Sequence, residues 1–177
     1  MAFMVKNVNA PRATGMTGSG QGVLSQFVHV SRPTQSLPAT TTDILYRVFG
    51  GRVLVHLLVG EVTTVIQAQA TTLKVTGKKL DNASAAVGTA VDICATVDGN
   101  AKEVGSLYIP IGSGAAAIWS NAGAGIATLG RNNWVSPQGE IYITTGATST
   151  GQMKWDIWYQ PLDEGAYVAG NAVQAAI

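Results

Sequence analysis

Hydrophobic and polar residues change their pattern at Thr42, and from there the chain consists of short runs rich in Val, Ile, Thr, Tyr and Trp. Gly, Asn, Asp and Pro separate these runs, a pattern typical of an all-β sandwich or barrel. We recognise about eight candidate strands: DILYRVF, RVLVHLLV, EVTTVIQ, TTLKVT, VDICATV, SLYIPI, EIYITT and MKWDIWYQ. No stretch here has the pattern of a capped amphipathic helix, and the loops are uneven. We therefore predict a jelly-roll-like β-sandwich over residues 42–164.

Alternation along these strands separates a core face from a second face. In MKWDIWYQ, the side chains predicted to face the core are Met153, Trp155, Ile157 and Tyr159, and those on the polar face are Lys154, Asp156, Trp158 and Gln160. In RVLVHLLV, Val53, Val55, Leu57 and Val59 point one way, and Arg52, Leu54, His56 and Leu58 point the other way. Because a stable monomer would not expose such apolar side chains, we predict that the second face contacts another subunit.

Five residues are candidates for this subunit contact. His56, Leu58 and Trp158 come from the strands just described. The other two, Trp119 and Trp134, lie in the weakly patterned segment 112–134, and long irregular loops in compact domains are often contact-making.

Residues 1–41 are rich in Gly, Ser, Thr, Asn and Pro and contain one apolar cluster, VLSQFVHV. Such a segment loses too much conformational entropy to order by itself, so we predict an extended arm that is ordered by docking. Its docking residues would be Val23, Leu24, Phe27 and Val30. Residues 165–177 form a tail whose last twelve residues carry no charge, and we expect it to pack against something.

The composition favours assembly and disfavours several other partners. Charged residues make up only 12% of the chain, against about 25% in typical soluble domains, and the net charge is +1. Nothing resembles the basic footprint of a nucleic-acid-binding protein. Cys94 is the single cysteine, which excludes an internal disulfide. Residues 104–130 are uncharged, but Pro110 and several glycines interrupt them, so we expect no membrane span there.

Groups suited to catalysis are scattered. Only His29 and His56 could serve as histidine bases, and His56 has aliphatic neighbours in its strand. The carboxylates have no recognisable catalytic or metal-binding spacing, and the glycine-rich stretches lack the features of a phosphate loop. The sequence therefore predicts no enzyme, no cofactor, no metal and no small-molecule substrate.

Three strings in the chain carry a family resemblance: VLVHLLVGEVTTVIQAQATTLKV, VDICATV and KWDIWYQPLDEGAYVAG. Together they resemble small virion proteins of tailed double-stranded DNA bacteriophages, over about residues 43–168. Such proteins are often capsid decoration, or cement, proteins, which are β-sandwiches or jelly rolls that sit as trimers on the outside of the head.

The resemblance implies a homotrimer that contacts the major capsid protein and stabilises the expanded head. It would be made in the host cytoplasm and located on the outer capsid surface of the virion. In that role the arm would contact the capsid. The alternative is a receptor- or carbohydrate-binding domain of a phage fibre or tail, since exposed Trp119, Trp134 or Trp158 could stack on sugars.

Overall fold

The computed structural model describes residues 27–38, 41–81, 85, 87–110 and 133–170, together with the backbone of residues 119–121. These residues form twelve strands in two antiparallel sheets, and no helix occurs among them. The predicted all-β sandwich is therefore confirmed, with more strands than the eight expected. Within this part of the chain, no helix is long and apolar enough to span a membrane.

Each sheet has six strands. Sheet A is built from β1 (Val28–Ser36), β11 (Gln152–Pro161), β3 (Val53–Thr64), β7 (Leu107–Ile109) and β8 (Trp119–Asn121), in that spatial order, while β9 (Trp134–Ser136) also pairs with β3. Sheet B is built from β12 (Tyr167–Gly170), β2 (Thr42–Phe49), β10 (Gly139–Thr145), β4 (Thr72–Lys79) and β5 (Val91–Asp92), while β6 (Val97–Asp98) also pairs with β4.

The chain visits the two sheets in the order of a jelly roll. The first four strands lie alternately in sheets A and B, and β10 and β11 lie in sheets B and A. β11 lies between β1 and β3, and β10 lies between β2 and β4. Each connection from β1 to β4, and that from β10 to β11, therefore crosses between sheets, as in the interlocked Greek keys of a jelly roll.

The core lies between the inner faces of the two sheets and is most regular along β11. Met153, Trp155, Ile157 and Tyr159 are each at most 3% exposed, as their alternation predicts. Trp155 packs over Gly60 of β3, where an added Cβ would lie 2.7 Å from the indole ring. Glycine at position 60 therefore provides the space that the largest buried side chain needs.

The structure corrects the predicted boundaries of the arm and the tail. Residues 28–36, assigned to an arm without its own core, form β1, which pairs with β11. Val30 lies opposite Ile157 and packs against the core, so its burial comes from its own domain. At the other end, Val168 of β12 is also buried in the core. Both strands were missed because long-range pairing, rather than local pattern, orders them.

A second correction concerns β3, which was predicted as two strands. It runs through Gly60 without a break, and its register against β11 shifts at His56, where Val55 pairs with Tyr159 and Leu57 with Trp158. This extra residue is a β-bulge, which moves the following side chains to the opposite face. Leu58 is consequently 1% exposed in the core and not on a subunit-contact surface.

Two ion pairs join distant parts of the sandwich. The guanidinium of Arg32 in β1, buried between the sheets, lies 2.5 Å from Asp43 Oδ2 in β2. At one end, Arg52 donates three hydrogen bonds to the Asp163 carboxylate, two from its side chain and one from its backbone N–H, at 2.7 to 3.0 Å. These bonds hold the β2–β3 turn against the loop that follows β11, and they lower the pKa of Asp163 to about 2.

Candidate functional site

The outer face of sheet A, which points away from the core, carries an unusual number of apolar and aromatic side chains. The register of β1, β11 and β3 places these side chains beside one another, since residues paired directly across two strands share a face. We call the following residues the outer patch: Phe27, His29, Leu54, His56, Leu57, Val59 and Trp158. His29 is exposed and the other six are half-buried.

Trp158 is at the centre of the patch. Its indole stacks on the imidazole of His29, which lies opposite it on β1, with ring centroids 4.5 Å apart and an interplanar angle of 16°. His29 Nε2 lies 2.7 Å from Asp156 Oδ1, two residues before Trp158 on the same face. The hydrogen bond fixes the imidazole over the indole, so the stacked pair is held in one arrangement on the outer face.

Phe27 and His56 form a second ring contact in the patch. Their centroids are 4.2 Å apart and their planes meet at 70°, which is an edge-to-face arrangement. The bulge in β3 positions His56 for this contact, and its Nε2 atom is buried without a partner among the residues that the structure describes. A buried imidazole nitrogen without a hydrogen bond lowers the stability of a fold by about 1–3 kcal/mol. An apolar residue at position 56 would avoid this loss if the strand had only a structural role.

A polar border ends the patch on one side. Lys154 Nζ lies 2.8 Å from Glu61 Oε2, and these residues are direct partners on β11 and β3. The hydrogen bond from Lys154 to Glu61 raises the pKa of the lysine. An apolar centre with a polar border is the anatomy of many protein–protein interfaces.

The predicted contact residues fall into three groups. Phe27, His56 and Trp158, which belonged to two separate predictions, come together in the outer patch. Trp134 lies apart in β9, half-buried against the core. Trp119 belongs to β8, of which only the backbone is described, while Val23 and Leu24 lie outside the described residues.

His29 and Asp156 were not predicted as a pair. They are 127 positions apart in the sequence, and the pairing of β1 with β11 was not foreseen. The available signal was the alternation in FVHV, where His29 lies on the face opposite Val28 and Val30.

Burial and local hydrogen bonds account for the shifted pKa values of two further groups, Cys94 and Tyr142. The Cys94 thiol is buried and accepts a hydrogen bond from Val75 N at 3.3 Å, and burial raises its pKa. On sheet B, burial and then a hydrogen bond to Glu140 raise the pKa of Tyr142 to about 12. Where the structure describes side chains, no three His, Cys, Asp or Glu residues are grouped to hold a metal ion.

Comparison with known proteins gives one structural similarity. No protein-family model and no curated protein sequence matches the chain. A solved structure titled "Structure of infectious bursal disease virus Gx strain" is similar over 80% of this chain, with 12% sequence identity and a TM-score of 0.26. The chain spans about a third of the length of that viral chain, since 33% of it is covered. A TM-score this low does not establish a common fold.

Proposed function

We propose that this protein is a structural component of a bacteriophage virion, of the decoration type, that binds the outside of the capsid and stabilises the expanded head. The observation that carries the proposal is the outer patch. Its aromatic and aliphatic side chains occupy the solvent side of a sheet whose other side faces the hydrophobic core. Apolar surface of this kind on a jelly roll suits contact with protein rather than with water.

Two further observations support the same role. The sequence has few charges, as expected for a chain whose surface is covered in an assembly. Two of the strings that resemble phage virion proteins begin with VLVHLLVGEVTT and KWDIWYQ. These segments lie in β3 and β11, the two strands that carry most of the outer patch.

In this proposal the outer patch joins copies of the chain into a homotrimer, and the trimer binds the major capsid protein. Repeating one contact around a three-fold axis multiplies weak attachments through effective concentration. A protein that binds the expanded head more tightly than the unexpanded head stabilises only the expanded state. The segment before Phe27, with Val23 and Leu24, would add to the capsid contact.

The test is binding to heads that lack the protein. Labelled protein is mixed with expanded and with unexpanded phage heads, and the fraction that sediments with each is measured over a range of concentrations. We expect saturable binding to expanded heads with a fixed number of copies, and weaker binding to unexpanded heads. Absence of saturable binding to either form would contradict the proposed function.

Recognition of a sugar is the second candidate, because one observation favours it. Trp158 lies beside the Asp156 carboxylate and the His29 imidazole, and an aromatic ring next to a hydrogen-bond acceptor is a usual arrangement for stacking on a sugar. Glycan-array binding by the isolated protein that is lost in Trp158→Ala would favour this candidate. Binding to heads without glycan binding would favour the decoration role.

A further inference from the structure

A groove opens at one corner of the sandwich, beside the Leu54 end of the outer patch. It lies between the end of β4 with β5 on sheet B and β9 on sheet A, and its volume is about 490 Å³. Ligand-binding clefts commonly have volumes of roughly 300–1,000 Å³. The groove is therefore large enough for a few side chains of a partner and far too small for a folded domain.

Three exposed valines border the groove. Val91 is 69% exposed and Val87 is 44% exposed, while Val135, 52% exposed, lies opposite Leu54 and so points to the outer face of sheet A. Val91 pairs with Gly77 on β4, on the side of sheet B that faces sheet A. A valine on the inner side of a sandwich is normally covered, so its exposure indicates that the described part of the chain leaves this corner open.

The edge of β9 borders the groove. β9 pairs with β3 through Trp134, Val135 and Ser136, and no other strand of the described residues pairs with its second edge. An edge strand presents unpaired N–H and C=O groups that can pair with another chain. The indole Nε1 of Trp134 is also buried there, with no acceptor among the side chains and backbone described.

The charge of the groove is positive. Lys78 and Lys79 line it, and neither forms an ion pair with a carboxylate of the described residues. Asp92, also in the lining, is already paired with Lys74 at 2.9 Å. A partner with a carboxylate near the two lysines would therefore be favoured over a neutral or basic partner.

We propose that this groove binds an extended segment of a partner protein by strand addition to β9, with alternate apolar side chains over Val91 and Ile93 and a carboxylate near Lys78 and Lys79. Strand addition supplies affinity through backbone hydrogen bonds, while pockets for alternate side chains supply specificity. The proposal depends on the groove alone and stands whether or not the protein binds a capsid.

The probe is a set of three fluorescein-labelled peptides measured by fluorescence anisotropy at low salt. The first is the acetylated hexapeptide Thr-Val-Thr-Val-Thr-Glu, whose glutamate shares a strand face with its two valines. The second has lysine in place of glutamate, and the third has proline in place of the second valine. We expect the glutamate peptide to bind about tenfold more tightly than the lysine peptide, one charge contact being worth roughly this factor. The proline peptide should lose binding because it cannot donate at that position.

Two variants of the full chain locate the binding. Val91→Asp should weaken binding of the glutamate peptide about tenfold or more, since it places a second acidic group in the groove. Val65→Asp is the matched control, because Val65 is 52% exposed and is not part of the groove. It should bind like the wild-type chain.

Amide resonances provide the independent readout. In the proposal, the glutamate peptide shifts the amide signals of residues 134–136 and 91–93 in a ¹H–¹⁵N spectrum. The proposal is overturned if no peptide binds, which is the result expected if other residues of the same chain fill the groove. It is equally overturned if the lysine peptide binds as tightly, or if Val91→Asp leaves binding unchanged.

Discussion

The two faces of β11 show how differently one strand can be used. Its inner side chains, Met153, Trp155, Ile157 and Tyr159, are buried in the core, while Trp158 on the outer side is half-buried in the outer patch. Both faces carry a tryptophan. The inner one is held by surrounding core atoms, and the outer one stacks on the His29 imidazole and lies opposite Leu57.

The fold requires a particular side chain at Trp155, whereas it would accept many different side chains at Trp158. At Trp155 the neighbours leave so little space that even a Cβ on Gly60 would collide with the ring. At Trp158, a polar residue would satisfy the strand equally well, and alternation predicts one. The presence of tryptophan there therefore calls for a functional explanation, and assembly is the one we propose.

The largest expected effect comes from deleting β1, which pairs with β11 and contributes Val30 and Arg32 between the sheets. A chain lacking residues 1–26 should keep a cooperative unfolding transition, whereas a chain lacking residues 1–36 should lose it. The second deletion removes the partner of β11, Val30 from the core and the Arg32–Asp43 ion pair. These contacts are large relative to a total stability of about 5–15 kcal/mol. Circular dichroism during heating measures the outcome.

Retention of a cooperative transition in the chain without residues 1–36 would show that β1 is dispensable. The boundary predicted from sequence at Thr42 would then be correct after all.

The next effect compares the two tryptophans directly. Trp155→Ala should lower the free energy of unfolding by about 3–5 kcal/mol, because it leaves a cavity in the core. Trp158→Ala should lower it by less, about 1–2 kcal/mol, because the indole is half-buried on the outer face and its removal leaves no enclosed cavity. Urea denaturation of both variants at a concentration where wild type and variants are in the same association state gives the two values. Equal losses would remove the distinction between the two faces.

The smallest effect is a pH dependence at the Arg52–Asp163 contact, outside both faces. The pKa of Asp163 is lowered from 3.8 to about 2 in the folded state, so its contribution to stability is complete above pH 3.8 and is lost as pH falls through about 2. Asp163→Asn should therefore be less stable than wild type at neutral pH. The difference should narrow below pH 3.8 and disappear only below pH 2, where Asp163 is protonated in both the folded and the unfolded state.

Thermal unfolding midpoints of the two proteins at a series of pH values make this comparison. If the difference in unfolding midpoint between wild type and Asp163→Asn stays constant from pH 7 to pH 2, the charge of the Asp163 carboxylate does not contribute to stability.

The sequence was most informative where local pattern and final structure agree. The alternation of β11 is strong, so its core residues could be predicted without knowledge of their partners. The sandwich and its jelly-roll character followed from the number and spacing of such runs. By contrast, β1 includes Ser31, Arg32 and Pro33, which do not favour a strand, and it exists because β11 pairs with it.

The outer patch could be predicted only in part. His56 and Trp158 could be recognised as residues predicted to point away from the core. RVLVHLLV, however, is apolar on both faces, so its alternation does not reveal the bulge that changes which residues point inward. The bulge arises where β3 meets Trp158 and Tyr159 of β11, and it sends Leu58 into the core. The contacts of His29 depend on a neighbour 127 positions away and lie beyond local pattern.

The central claim, that the outer face of sheet A joins copies of the chain, is tested most directly by sedimentation velocity at micromolar concentration and neutral pH. Wild type, Trp158→Asp and the control Val65→Asp are compared, with circular dichroism as a check of folding. We expect a trimer for wild type and for the control, and a folded monomer for Trp158→Asp, because a buried unpaired carboxylate would oppose the contact. A monomeric wild type, or a trimer that persists in Trp158→Asp, would contradict it.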